Sequence, residues 1–212
     1  ADSPTQRAPG TVTIDGFGAG GATGLAAPAL GVLPATATIS TWRDTALFTI
    51  RPNTNGETVD VVSVFLSVDT LLTNVVDQNS NQAGTQPFAV NSALAGQTLF
   101  DSVRAGTDTL VAGLWVMDLV YFEQAGRAFD GDTDLATIML ASRNQEGTAR
   151  LRIDNFELRR SAFYRNGDEV GSLAPETGAV LQVRPRATLS GRVRLQGRTV
   201  HRAEVTFELR DR

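Results

Sequence analysis

The chain has 212 residues, 42% hydrophobic and 20% charged, enough to bury about 70% of its unfolded surface without a disulfide or a metal. It contains no cysteine, which excludes structural disulfides, thiolate catalysis and cysteine-held zinc. The formal charge of −4 is unevenly spread: residues 1–142 carry five Arg against fourteen acids, and residues 143–212 carry fourteen Arg against nine. That asymmetry fits either solvated strand faces or head-to-tail attraction between copies. An acidic total without an aromatic stacking motif points away from nucleic acid.

All nineteen basic residues are arginine, a usage expected of a GC-rich bacterial genome. No run of eighteen apolar residues occurs, so no membrane span is expected. The small, polar start ADSPTQRAPG reads as a mature N-terminus after signal removal, which places the chain outside the cell or on its surface.

Read in chain order, the sequence shows short alternating, β-branched segments punctuated by Asn, Gly, Asp and Pro, with almost no helical period. Residues 11–17 form a first strand candidate, with Val12 and Ile14 on one face. The Gly/Ala-rich stretch 18–34 is expected to lie on a surface or in a groove. Strands are then expected at 36–41 and 46–52, followed by a turn at Asn55-Gly56 and a strand over 58–69. In the last of these the apolar set is Val59, Val61, Val64, Leu66 and Val68. The shift between Val61 and Val64 predicts a bulge or burial on both faces. After a polar loop at 77–86, strands resume at 110–124, 135–142 and 149–160. Residues 161–178 read as a linker with a turn at Asn166-Gly167. The tail from 179 onward alternates strictly and carries two or three strands, too few to form a core alone.

The passage ALFTIRPNTNGETVDVVSVFLSVDTLLTNVV, with LVAGLWVMDLVYFEQAG, LATIMLAS and ARLRIDN after it, resembles the cohesin-like family of bacterial β-sandwiches over about residues 45–159. The resemblance implies an all-β, nine-stranded jelly-roll sandwich that binds a protein partner, often a dockerin, on one sheet face. The tail ATLSGRVRLQGRTVHRAEVTFELRD is similar to the opening hairpin of carboxypeptidase-regulatory-like sandwiches. The expected organisation is an N-terminal extension (1–35), a cohesin-like sandwich (36–160), a linker (161–178) and C-terminal β-strands (179–212).

Catalytic signals are weak. His201 lies in an alternating strand without a nucleophile elbow, so packing or surface exposure is expected of it. Asp118 and Glu123 fall on an apolar strand, where an edge or turn position accounts for them as well as catalysis does. Trp42, Trp115, Tyr121 and Phe122 are assigned to core packing ahead of a sugar-stacking platform. The Gly-rich run at 16–24 lacks the helix a dinucleotide loop needs, and Ala174 interrupts the sortase-like LAPETG. Asp130, Asp132 and Asp134 in DGDTD are candidate calcium ligands, although the EF-hand spacing fails at Leu135 and Ala141; no other cofactor is expected.

Two functions remain open, the first preferred to the second. One is a non-catalytic extracellular subunit that assembles with copies of itself by strand exchange into a filament or surface layer. Its donor and acceptor strands would carry Val193, Leu195, Val205, Phe207 and Leu209 at one end and Val12 and Ile14 at the other. The other is a monomeric cohesin-like module that recognises a protein or a glycan through a sheet face or the 77–86 loop.

Overall fold

The computed structural model describes residues 27–41, 44–156, 159–171, 173 and 178–185. Among them all regular structure is β, so no helix there is long and apolar enough to cross a membrane. The strands are β1 (Ala29–Leu33), β2 (Thr36–Ser40), β3 (Thr45–Asp69), β4 (Thr73–Val75), β5 (Phe88–Val90), β6 (Gln97–Ala105) and β7 (Leu114–Asp130). They continue with β8 (Ala136–Ser142), β9 (Gly147–Ile153), β10 (Asn155–Phe156), β11 (Arg159–Arg160), β12 (Ala162–Arg165), β13 (Asp168–Glu169) and β14 (Ala179–Arg184).

The long strand β3 belongs to both layers of the sandwich. Its first half pairs antiparallel with β1 and β8, and its second half pairs with β7, β12 and, at Leu66 and Ser67, with β9. The transition falls at Asn53–Thr58, where the register against β7 slips and Asn55 and Gly56 take positive φ values of 57° and 85°. The expected Asn55-Gly56 turn is therefore a bulge inside one strand, not a connection between two. Thr54, fully buried, pins it: its hydroxyl donates to the Glu57 carbonyl (2.6 Å) and accepts from the Phe129 N–H (3.1 Å).

A second bulge sits between Val59 and Val61, one step earlier than the apolar pattern suggested. The extra residue moves the inward face from odd to even positions. Val59 on one side and Val62, Val64, Leu66 and Val68 on the other are thereby all buried at 0% exposure. They pack with Phe48, Ile50, Met117, Leu119, Tyr121, Ile138 and Leu140 in one continuous core. Burying these side chains at about 1.5–3 kcal/mol each is the main driving force for closing the two layers.

The expected domain limits shift at both ends. Residues 29–33, assigned to an N-terminal extension, form β1, and Leu30 and Val32 enter the core. Residues 162–169, assigned to a linker, form the β12–β13 hairpin on the edge of β3, with the expected turn at Asn166-Gly167. Residues 179–184, assigned to a separate tail, form β14 between β9 and β2. β14 runs parallel to β2 from Val180↔Thr36 to Arg184↔Ser40 and places Leu181 and Val183 in the core. The alternation within β1 and β14 marks them as strands, but their partners lie far off in sequence, and periodicity within a segment does not reveal which strands it joins.

Candidate functional site

The outer face of the layer built on β6, β7 and the second half of β3 is the candidate site. Register fixes which side chains share it, because directly opposed residues lie on the same face. Tyr164, Val61 and Phe122 form one row, and Ser63, Val120 and Phe100 the next. Phe65, Asp118 and Ser102 make a third, and Ser67, Val116 and Arg104 a fourth. Inward-facing Met117, Leu119 and Tyr121 alternate with them along β7.

In the first two rows Ser63 is buried, Val61, Val120, Phe122 and Tyr164 are half-buried, and Phe100 is 50% exposed. In the last two rows Ser67, Val116 and Asp118 are buried, Phe65 and Ser102 are half-buried, and Arg104 is exposed. After β9 the chain turns through β10 and β11 and lays Arg159 over the sheet, its guanidinium 5.3 Å from the Phe65 ring centroid. Arg159 donates from Nε to Asp154 (2.7 Å), from Nη2 to the Leu66 carbonyl (3.1 Å) and from Nη1 to Asp118. Arg104 takes the second Asp118 oxygen, and the Ser67 hydroxyl donates to Asp154 (2.7 Å). Asp118, Asp154 and Arg159 are all buried, so each charge is neutralised and hydrogen-bonded where solvent does not reach it.

The network revises the reading of Asp118 and Glu123 as edge or turn residues. At Asp118 β7 is flanked by β3 and β6, Glu123 follows Phe122, the last residue paired before the register shift, and both carboxylates are buried, at 4% and 2% exposure. Asp118 is held by two arginines, and Glu123 accepts from the Tyr121 hydroxyl (3.2 Å), which itself accepts from the Gly96 N–H (2.7 Å). Burial, with the Glu123 charge adding to it, raises the Tyr121 pKa. Both carboxylates are held by hydrogen bonds within the sandwich.

Trp115 is half-buried and donates from Nε1 to the Thr73 carbonyl (2.9 Å). Tyr121 points into the core while Phe122 lies on the outer face, so these two described aromatic residues share no platform. In the DGDTD turn, Asp130 Oδ1 accepts from the Asp132 N–H (3.1 Å) and the Thr133 hydroxyl (3.2 Å). The Asp132 N–H is the main reason that the Asp130 pKa is lowered. Asp130 and Asp132 border a cavity of about 170 Å³, but Asp134 turns to Arg51, accepting from its Nε (2.9 Å) and Nη2 (2.7 Å). Among the described residues no group of three or more acidic, His or Cys side chains is arranged to hold a metal. His201, Trp42 and the strand-exchange candidates Val12, Ile14, Val193, Leu195, Val205, Phe207 and Leu209 lie outside the described residues.

No protein-family model matches the sequence, and no curated protein matches it either. Solved structures do match. The seventh ScaB type I cohesin from Pseudobacteroides cellulosolvens superposes with a TM-score of 0.50 at 12% identity, covering 79% of this chain and 99% of that one. A type III cohesin module from the cellulosomal ScaE cell-surface anchoring scaffoldin of Ruminococcus flavefaciens gives a TM-score of 0.50 at 8% identity, covering 76% of this chain and 88% of that one. The chain has the cohesin-like jelly-roll β-sandwich fold.

Proposed function

We propose that this chain is a non-catalytic recognition module that receives a protein partner on the outer face of β6, β7 and β3. The observation that carries the reading is the open pair of rows formed by Tyr164, Val61, Phe122, Val120 and Phe100. Aromatic and aliphatic side chains standing half-exposed on paired strands lose little conformational freedom on binding, the property of an interface hot spot. The Arg159–Asp118–Arg104 cluster borders them as a polar rim and fixes the neighbouring sheet surface. Dockerins are the partner class to test first, because the sequence resemblance implies them. A surface or extracellular setting accords with that class.

The self-assembly reading gains nothing from the described fold. Its orphan tail loses its first strand to the sandwich, since β14 pairs within the chain. Calorimetric titration of the full chain with a panel of isolated dockerin modules tests the proposal. A one-to-one complex with at least one module, at micromolar Kd or tighter, is expected. Silence across the panel rejects the dockerin class.

A further inference from the structure

A groove of about 320 Å³ lies between the loop after β4 and strands β5 and β6, on the side of β6 away from β7. Its polar groups come from Gln78, Asn79 and Gln82 of the loop and from Thr98 and Asp101 of β6, and β5 with Leu99 and Phe100 supplies the apolar part of the lining. None of the described residues lining it is cationic. The volume is near the lower end of ligand pockets, about 300 Å³.

The loop is built to hold this shape. Asp77 Oδ1 accepts from the N–H groups of Asn79 (3.1 Å) and Gln86 (3.0 Å), and the Gln78 N–H donates to the Gln86 carbonyl (2.8 Å). Asn79 Nδ2 donates to Gln82 Oε1 (3.4 Å), orienting both amides. Two side-chain atoms of the lining residues are nevertheless buried with no hydrogen-bond partner: Gln78 Nε2, a donor, and Asp101 Oδ1, an acceptor. A buried polar atom left unpaired costs about 1–3 kcal/mol. Such atoms persist where a ligand or water supplies the partner.

We infer that this groove is a subsite for a neutral sugar unit of a polysaccharide. A sugar hydroxyl both donates and accepts, so neighbouring hydroxyls match an orphan amide donor and an orphan carboxylate acceptor at once. The amides of Asn79 and Gln82 extend the same pattern, and Phe100 offers an apolar face to the ring's C–H groups. The absence of a lining cation disfavours an anionic ligand. Burial, the largest influence, raises the Asp101 pKa to about 6, with the Phe88 backbone opposing and the Asp77 charge adding to it. The carboxyl thus changes between donor and acceptor near neutral pH.

The test is a titration of the ¹⁵N-labelled full chain with neutral hexasaccharides of glucose, xylose and mannose. Saturable shifts confined to residues 78–82 and 98–101 are expected with at least one of them. Gln78→Ala should weaken that binding about tenfold, the loss of one buried hydrogen bond, and Asp101→Ala should weaken it likewise. Thermal melts of both variants guard against loss of fold, and Gln78, on a loop, should melt as the wild type does when replaced. Absence of saturable shifts with all three sugars, or shifts that Gln78→Ala leaves intact, would overturn the inference.

Discussion

Arg159 closes over Asp118 from outside the sheet, joining a strand that follows β9 to the middle of β7. Both side chains are at most 10% exposed, and the same guanidinium also holds Asp154. The pairing decides where the outer face ends. Beneath Arg159 the sheet is covered, and beyond it the rows of Val120 and Val61 stay open.

Removing that guanidinium leaves Asp154 with only the Ser67 hydroxyl and Asp118 with Arg104 alone. Arg159→Ala is expected to cost about 3–5 kcal/mol, the usual penalty for breaking a buried ion pair from one side. Thermal denaturation should register a fall on the order of 10 °C for a chain of this size. Adding Asp154→Asn should recover part of the loss, because the uncompensated charge then disappears. Equal melting temperatures for wild type and Arg159→Ala would show that the network contributes nothing.

β14 is predicted to be integral to the fold. Leu181 is fully buried, and Leu181→Ala should destabilise by about 2–5 kcal/mol. Gly178 precedes the strand, and a Cβ there would collide with the Leu151 carbonyl oxygen. Gly178→Ala therefore has to push β14 away from β9, and about 1–3 kcal/mol of destabilisation is expected in urea unfolding. Wild-type behaviour of both variants would detach β14 from the sandwich.

Asp101 gives a pH signature. Its pKa is raised from 3.8 to about 6, so the folded chain binds that proton more tightly than the unfolded chain does. The contribution of Asp101 to stability is complete below about pH 4 and is lost as pH rises through about 6. Asp101→Asn should gain stability relative to wild type between those limits and keep the gain at pH 7. Chemical denaturation at pH 4, 5, 6 and 7 measures it; parallel curves for the two proteins would show that Asp101 titrates normally.

The elements legible in the sequence were those whose apolar alternation is self-contained. β8, with Ala136, Ile138 and Leu140 buried in strict alternation, is expected and found within a residue. β6 was not expected at all. It is a sheet edge with Gln97–Phe100 exposed, so its sequence carries no buried period, and only pairing with β7 makes it a strand. β12 is too short to show a period and reads as part of a linker, whereas β14 alternates as expected of the tail and only its pairing with β9 and β2 places it in the sandwich. The candidate face was legible only in its parts. Phe65, Val120 and Phe122 are visible as strand residues, but their common face depends on a register that the bulges around Asn55 and Asp60 reset. Arg159 gave no sign of its role, since reaching Asp118 requires the turn through β10 and β11.

The central claim is that the open rows of the β6–β7–β3 face receive a protein partner. Its most direct test is the affinity of a bound dockerin module for wild type and for Val120→Asp, whose side chain stands in the middle of those rows. A buried, unpaired carboxylate at an interface should weaken binding about a hundredfold or more, or about 3 kcal/mol, with the isolated variant still folded. An unchanged Kd for Val120→Asp would place the partner elsewhere on the molecule and contradict the account.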